Sequence, residues 1–258
     1  MNQATNTHPH LSLPDMLRRR ILGEPLQYIL GDQPFGPLNL ITRAPVLIPR
    51  PETEHWVIKL ADRLSSTSTR PKRLLDLGTG SGCIPLLLCH LCPPGTLHTH
   101  GIDISPHAIQ LATDNAALCK IPTPSPRSLH VNSFRTTLAN FLSPTFSDDV
   151  NLSAPYDIIT SNPPYITWNE YLELPRSVSD YEDPKALFGG PSGFDFYHSI
   201  ARLVRQKGFL NPAAVVALEV GHTQAKRVED IMRATGLVHS TEIWCDPWGK
   251  DRTVLAHF

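Results

Sequence analysis

A glycine-rich loop between an apolar run and a helical run constrains this chain more than any other feature. Residues 74–77 read as a short strand, residues 78–82 (GTGSG) as a tight loop, and residues 83–91 as a helix. Glycine lets the backbone bend tightly and lets a ligand approach it closely. In open α/β sheets, such a loop lies at the carboxyl end of a strand, where ligands bind. The loop therefore predicts an α/β fold with a ligand site at one edge of its sheet.

The alternation of strands and helices continues to the C-terminus. It predicts a mostly parallel, doubly wound sheet. Only the short turn at residues 246–249 (DPWG) separates the last two strand-like runs, which predicts an antiparallel pair at the C-terminal edge. We expect a Rossmann-like fold with a seven-stranded sheet. After residues 74–77, its strands are residues 97–102, 128–131, 156–160, 213–220, 237–245 and 252–258, and its further helices include residues 106–118 and 224–234.

The glycine loop has two acidic neighbours that indicate its ligand. Asp76 precedes the loop, and Asp103 ends the second strand about 20 residues further on, as a ribose-binding carboxylate does. The dinucleotide pattern GxGxxG does not fit, because the third glycine comes one residue early. DxGxGxG is instead the pattern of S-adenosylmethionine (SAM) methyltransferases, although a tight turn that binds nothing is the alternative. The residues predicted to hold SAM are Gly78, Thr79, Gly80, Ser81, Gly82 and Asp103.

A stiff turn, Asn162-Pro163-Pro164-Tyr165, follows the fourth strand at the same edge. Each proline fixes its φ angle and removes an N–H group, so the groups beside the cofactor are mostly acceptors. The Asn162 side-chain oxygen and the Pro163 carbonyl can hold both hydrogens of an –NH2 group. We therefore predict Asn162, Pro163 and Tyr165 as catalytic residues, and all four as substrate-binding residues with Tyr165 offering an aromatic face. A rigid turn without function is the alternative.

The planar –NH2 acceptor could belong to a base or to a glutamine amide, and further segments bear on this choice. The chain resembles the HemK/PrmC-type N5-glutamine methyltransferases of peptide chain release factors from about Arg20 to the C-terminus. Besides the glycine loop and the NPPY turn, the segments that carry the resemblance are residues 23–31 (GEPLQYILG), 47–54 (LIPRPETE), 181–187 (YEDPKAL), 189–190 (GG), 218–221 (LEVG) and 249–252 (GKDR).

The resemblance implies a class I SAM-dependent methyltransferase fold. Its implied substrate is the glutamine of the Gly-Gly-Gln loop in a class I release factor. Asn162 would then bridge the cofactor and the substrate, and Phe134 would pack near the adenine. The family's acidic residue after the third strand is missing, so Asn132 or Ser133 is expected to accept a hydrogen bond from the adenine amine instead.

Residues 50–54 are expected to cover the amino-acid end of the cofactor. The alternative is a simple connection to a helix at residues 55–64, with Glu52 or Thr53 as its N-cap.

Composition limits the other classes of partner. The formal net charge is −1, whereas a general nucleic-acid coat protein would be strongly basic. A nucleic-acid amino-methyltransferase is therefore an alternative that we do not favour. A ribosomal-protein glutamine methyltransferase is a closer alternative, and a non-catalytic remnant that binds a partner is a third. The transfer requires no metal, and no apolar run approaches the roughly 20 residues of a membrane span, so we expect neither a metal site nor a membrane partner.

Organisation and compartment are predicted from weaker signals. We divide the chain into a truncated N-terminal helix and hairpin segment, residues 1–44, and a methyltransferase domain, residues 45–258. The N-terminal segment should contain a helix at residues 14–21 and extended runs within residues 26–48. Residues 122–128 and 137–155 read as insertions, the second a mobile surface loop. The number of cysteines is odd, and most of them lie in apolar stretches; they are Cys83, Cys89, Cys92, Cys119 and Cys245. This pattern indicates a reducing compartment. Together with the insertions, the reducing compartment favours the mitochondrial matrix, with the cytoplasm as the alternative. We also expect a monomer.

Overall fold

A seven-stranded sheet forms the centre of the molecule. The structure is a computed structural model that describes residues 11–64, 70–125, 130–149 and 151–258. Within the sheet the strand order is β5-β4-β3-β6-β7-β9-β8, and a separate hairpin pairs β1 with β2. The strands are β1 (Asp32–Phe35), β2 (Leu38–Ile41), β3 (Lys72–Leu77), β4 (Leu97–Asp103), β5 (Ser133–Leu138), β6 (Tyr156–Ser161), β7 (Leu210–Glu219), β8 (Ser240–Cys245) and β9 (Asp251–His257).

The pairing of these strands confirms the predicted architecture. β5, β4, β3, β6 and β7 pair in parallel, whereas β9 pairs antiparallel with both β7 and β8. In β3, the residues from Leu74 to Leu77 are buried, as expected of a central strand covered on both faces. The antiparallel C-terminal edge arises because the turn between β8 and β9 is too short for a crossover helix.

Helices cover both faces of the sheet, and local signals set several of their ends. Ser105 accepts from the backbone N–H of Ala108 at the start of α5, and Thr167 forms a capping box with Glu170 in α7. The helices are α1 (Leu13–Ile21), α2 (Leu26–Leu30), α3 (Pro51–Leu64), α4 (Cys83–Leu91), α5 (Pro106–Leu118), α6 (Phe146–Asp149), α7 (Trp168–Leu172), α8 (Arg176–Ser179), α9 (Asp195–Val204) and α10 (Ala225–Arg233), with a 3-10 turn at Pro184–Ala186. No helix in the described ranges is long and apolar enough to cross a membrane.

The N-terminal segment contains the expected helix and hairpin, with one difference. Residues 26–30 form the helix α2 rather than an extended run. Gly31 ends this helix in the left-handed conformation, and its N–H donates to the Gln27 carbonyl. The hairpin side chains Phe35, Leu38 and Leu40 belong to the same buried cluster as the helix α4, so the hairpin shares a core with the sheet. Residues 1–10 lie outside the described ranges.

The third strand lies later in the chain than predicted. β5 begins at Ser133, whereas the prediction placed a strand at residues 128–131, of which 128–129 lie outside the described residues. The segment 137–155 is also more structured than a surface loop, because Phe141 and Phe146 are buried in the core and α6 lies within it. Val150 in this segment and residues 126–128 of the other predicted insertion lie outside the described ranges.

Candidate active site

A cavity of about 560 Å³ opens where the parallel strands end. Its size is within the range of small-molecule sites. It lies at the carboxyl-end edge of the sheet, where the glycine loop predicted a ligand site. Segments distant in the chain form its walls, namely residues 45–47, Gly78, Gly80, residues 103–105, Ala108, residues 139–142, Asn162, Pro164, Trp168, Tyr171, residues 183–186, Phe188 and Phe196.

Two glycines of the loop face this cavity. Gly78 and Gly80 have φ angles of +73° and +55°, and a Cβ added at either would meet nothing within 4 Å. The backbone there is bare, in a conformation that glycine adopts without strain, so a ligand can approach the peptide groups. Thr79, Ser81 and Gly82 are buried and do not line the cavity. Only part of the predicted loop therefore lines the cavity.

Asp103 is held at the cavity by the loop itself. Its Oδ2 accepts from the Gly80 N–H at 2.9 Å, and its Oδ1 accepts from the Ser105 N–H at 2.9 Å. Burial raises the pKa of Asp103, and these backbone hydrogen bonds oppose that rise. Each carboxylate oxygen keeps a further lone pair. The side chain can therefore still accept hydrogen bonds from a pair of ligand hydroxyls.

Asp76 lies beneath the loop rather than in the cavity. It is fully buried, and its Oδ1 accepts from the Thr160 hydroxyl at 2.7 Å. Burial raises the pKa of Asp76 to about 6, against the effect of that hydrogen bond. Its Oδ2 has no hydrogen-bond partner in the part of the chain that the structure describes. Asp76 thus joins β3 to β6 through Thr160 beneath the loop, with a pKa raised by burial.

Asn132 occupies the opposite end of the third strand from the cavity. Its Oδ1 accepts from the N–H groups of Thr96 and Leu97 at 3.0 and 2.9 Å. Its Nδ2 donates to the carbonyls of Cys89 and Cys92 at 2.8 and 2.9 Å. All of its hydrogen-bonding capacity therefore serves the loop before β4, and its predicted contact with adenine is wrong.

Ser133 and Phe134 are also placed away from the cavity. Ser133 Oγ lies 2.7 Å from Nδ1 of His98, at the start of β5. Phe134 is 1% exposed and belongs to a core cluster. The predicted roles of both residues at the adenine are wrong, because the strand was predicted too early. The residues that follow β5 and line the cavity are Ala139, Asn140, Phe141 and Leu142. The run SFRTTL at 133–138, which contains Phe134, two β-branched threonines and Leu138 and is followed by Asn140, is the signal that could have found them.

The NPPY turn presents only part of itself to the cavity. Asn162 and Pro164 line it, whereas Pro163 is buried. Tyr165 packs against the core cluster under the sheet, and its carbonyl accepts from Gln224 Nε2 at 2.9 Å. Burial also raises the pKa of the Tyr165 hydroxyl. The expected aromatic face of Tyr165 is therefore not a wall of this cavity.

Asn162 is linked to two buried side chains, Thr53 and Glu219, whose connection was not predicted from the sequence. Its Nδ2 lies 3.3 Å from Thr53 Oγ1, which in turn donates to Glu219 Oε2 at 2.6 Å. Trp56 Nε1 donates to the same Glu219 oxygen at 2.9 Å. Thr53 lies inside α3, which begins at Pro51, one turn before the predicted start of this helix. Its hydroxyl therefore bonds to Glu219 instead of acting as a helix cap.

The segment at 50–54 does not itself line the cavity. The wall is instead formed just before it, by Pro45, Val46 and Leu47. Arg50 donates to both carboxylate oxygens of Glu182, which fastens this wall to the segment 183–186 on the other side. The expectation that residues 50–54 cover the site is therefore wrong, because residues 45–47 line the cavity and residues 50–54 do not.

A group of aromatic side chains, Trp168, Tyr171 and Phe188, lines the cavity and was not predicted. Trp168 stacks on Tyr171 with their ring centroids 6.2 Å apart, and its edge meets Phe188. Trp168 is 54% exposed although it is a large apolar side chain. Lys185 also lines the cavity. No group of three or more His, Cys, Asp or Glu side chains that could hold a metal ion occurs among the described residues.

The chain is similar in sequence to proteins of known function. No protein-family model matches the chain. The release factor glutamine methyltransferase of Thermodesulfovibrio yellowstonii is 32% identical over 253 residues, which cover 98% of this chain and 83% of that protein. The protein of the same name from Moorella thermoacetica is 35% identical over 240 residues, which cover 93% of this chain and 77% of that protein.

The fold is also found among solved structures. The human methyltransferase 10 domain containing protein aligns with a TM-score of 0.53 at 15% identity, covering 96% of this chain and 98% of that chain. This likeness concerns the fold alone. The sequence relatives go further, because their identity extends over most of both chains. The chain belongs to the release factor glutamine methyltransferase family.

Proposed function

We propose that this chain uses SAM to methylate N5 of the glutamine in the Gly-Gly-Gln motif of a class I peptide chain release factor. The observation that carries the proposal is the position of Asn162. It lines the same cavity as Gly78, Gly80 and Asp103, at the carboxyl end of the neighbouring strand. Membership of the family supports the release factor as the substrate.

The residues present fit SAM on structural grounds. Gly78 and Gly80 leave open space along the backbone, and Asp103 retains acceptor capacity for the ribose hydroxyls. Asn140 is the polar side chain at the end of β5 that faces the cavity, and we propose that it contacts the adenine amine. When bound, SAM supplies an electrophilic methyl group on a sulfonium.

The chain's own residues would then position the substrate amide. An amide nitrogen is a poor nucleophile, so acceptors that hold its hydrogens stabilise the positive charge that develops on nitrogen. We assign these acceptors to the Asn162 side-chain oxygen, which lines the cavity, and to the backbone carbonyl of the next residue, Pro163, whose ring is buried. The rigid prolines hold them in place, and most of the rate gain comes from in-line positioning. Trp168 and Tyr171 at the mouth would exclude water and contact the peptide that carries the glutamine.

The test is methyl transfer from labelled SAM to a purified class I release factor. An intact factor is compared with a variant in which Gly-Gly-Gln becomes Gly-Gly-Ala. We expect label on the intact factor and none on the variant. Label on both would mean a different residue is modified. No label on either, with SAM binding intact, would contradict the proposal and direct the search to a ribosomal-protein glutamine or a nucleic-acid amine.

The mitochondrial matrix stays a prediction, because the relatives described above are bacterial. It is tested by following a fluorescent fusion of the chain together with a matrix marker. Signal throughout the cytosol would favour the alternative compartment.

A further inference from the structure

A buried series of hydrogen bonds lies behind Asn162. Thr53 and Glu219 are each 1% exposed, and they come from α3 and the end of β7. Glu219 Oε2 accepts from Thr53 Oγ1 at 2.6 Å and from Trp56 Nε1 at 2.9 Å. The backbone carbonyl of Glu219 accepts from the Tyr197 hydroxyl at 2.8 Å. Glu219 is thus held at both its side chain and its backbone.

The donors and acceptors in this series can be assigned. An indole N–H can only donate, so Glu219 Oε2 acts as an acceptor toward Trp56. Thr53 Oγ1 lies 2.6 Å from the same oxygen, and with Oε2 unprotonated the single hydroxyl hydrogen of Thr53 is directed to it. This assignment also holds if the carboxyl group carries a proton on Oε1, because Oε2 is then the carbonyl oxygen. Thr53 Oγ1 has no hydrogen left for Asn162, so it can only accept from that side chain.

This assignment determines the orientation of the Asn162 amide. The group that faces Thr53, 3.3 Å away, must be the donor Nδ2. A flipped amide would place Oδ1 against a hydroxyl oxygen that offers no hydrogen, which is repulsive and leaves this amide oxygen without a donor on the Thr53 side. The oxygen of Asn162 therefore stays available on the side of the amide that Thr53 does not hold.

We infer that Thr53 and Glu219 are positioning residues, which hold the Asn162 amide so that its oxygen, and not its nitrogen, meets the –NH2 group of the substrate. This inference rests on the proposed function. A flipped amide would oppose donor to donor and would remove one of the two acceptors that the transfer needs. The residue pair would therefore affect the rate of transfer without touching the substrate: Glu219 of the LEVG segment orients Thr53 of the IPRPETE segment, and Thr53 contacts Asn162.

The experiment compares Thr53→Val with Thr53→Ser. Valine keeps the volume and removes the hydroxyl, and serine restores it. With wild-type protein active on the release factor, we expect kcat to fall about tenfold or more in Thr53→Val, with the Kd for SAM little changed, and Thr53→Ser to recover most of kcat. Thr99→Val is the matched control, because Thr99 is also buried and donates to a carbonyl at 3.0 Å, outside the cavity. Thr53→Ala serves as a second variant if Thr53→Val does not fold.

A second readout does not depend on turnover. The side-chain NH2 signals of Asn162 in a nitrogen-15 NMR spectrum are assigned by their loss in Asn162→Ala. We expect them to shift in Thr53→Val and to keep their positions in Thr53→Ser. Wild-type kcat together with unshifted signals in Thr53→Val would overturn the inference. If the signals shift in Thr53→Val while the wild-type protein binds SAM but labels no release factor, the orientation is supported and the proposed substrate is overturned instead.

Discussion

The Arg50 guanidinium donates to both carboxylate oxygens of Glu182, at 2.6 and 2.7 Å. The two residues belong to segments far apart in the chain that meet beside the cavity. Glu182 has a side chain that is 1% exposed, whereas Arg50 is 34% exposed. Burial raises the pKa of Glu182, and Arg50 opposes that rise. Removal of Arg50 therefore leaves a buried carboxylate unpaired, whereas removal of the Glu182 charge leaves a partly exposed guanidinium unpaired.

Removing Arg50 should destabilise the protein more than removing the charge of Glu182. Arg50→Met leaves a buried carboxylate without its cation, which costs about 3 kcal/mol. Glu182→Gln leaves a guanidinium that water can reach, at a cost of about 1 kcal/mol. Because the pKa of Glu182 should rise further in Arg50→Met, that variant should lose stability as the pH increases. Urea unfolding at pH 5 and pH 8 measures both effects.

The control is Arg43→Met, since Arg43 pairs with Asp114 with both side chains partly exposed. Its effect should be small and nearly independent of pH. Equal losses for Arg50→Met and Glu182→Gln would contradict the assignment of the buried partner.

Asp76→Asn should change how stability depends on pH. The folded pKa of Asp76 is about 6, raised from 3.8 by burial. A carboxyl group with a raised pKa contributes stability that is fully present below 3.8 and is lost as the pH rises through about 6. The wild type should therefore lose about 3 kcal/mol relative to Asp76→Asn across this window. Paired unfolding curves from pH 3.5 to 8 test this, and a constant difference between the two proteins would contradict it.

The order of strands and helices could be predicted well from the sequence, because the signals that specify it are local. The glycine loop, the buried runs of β3 and β6, and the DPWG turn each depend on residues close in the chain. The third strand was predicted too early in the chain for a physical reason. Asn132 lies in a polar loop, and its role at the start of β4 depends on contacts that no local pattern reveals. The error moved the expected adenine contacts to Asn132, Ser133 and Phe134 at the wrong end of the strand.

The cavity residues that lie far from the strand ends were harder to predict than those that follow a strand directly. Gly78, Gly80 and Asp103 follow strands directly, so their place at the sheet edge is set by topology. Trp168 reaches the same cavity from a long excursion after β6, where periodicity carries little information. The link from Asn162 to Glu219 joins three separate elements, and only the folded chain brings them together.

Asn162→Ala should keep the fold and abolish methyl transfer. Asn162 is half-buried, and its contact with Thr53 is long, at 3.3 Å, so little stability is lost. Removing an acceptor that acts in the transition state should lower kcat by about 100-fold or more. Single-turnover transfer and thermal unfolding measure the two effects. Asn39→Ala, at an exposed position of the hairpin, is the control, and near wild-type turnover in Asn162→Ala would contradict the catalytic assignment.

Asp103→Ala should act on SAM affinity before it acts on transfer. The variant loses the acceptor for the ligand and also frees the N–H groups of Gly80 and Ser105. We expect the Kd for SAM to rise by about 10- to 100-fold, while kcat at saturating SAM falls much less. Calorimetric titration measures the affinity, with Asp62→Ala on the exposed face of α3 as the control. An unchanged Kd would mean that Asp103 only braces the loop.

The NPPY turn is held from behind by a close backbone approach. The Gly189 N–H donates to the Ile166 carbonyl at 2.9 Å. A Cβ at Gly189 would lie 2.6 Å from the Pro164 carbonyl oxygen and 2.7 Å from the Cα of Tyr165. These neighbours are backbone atoms, which cannot rotate away as a side chain can. A methyl group there must move either the turn or the segment at 187–190.

Gly189→Ala should therefore displace the turn and reduce transfer, although Gly189 does not line the cavity. A displacement of about 1 Å at the reacting groups can lower the rate about 100-fold, so we expect a loss of kcat of about tenfold or more, with a smaller change in the Kd for SAM. Gly236→Ala is the control, since its φ of +74° makes alanine strained but its Cβ would meet nothing within 4 Å. That control should lose about 1 kcal/mol of stability and keep its kcat. If both variants lost stability equally and neither lost kcat, the turn would tolerate displacement and its rigidity could not be the source of positioning.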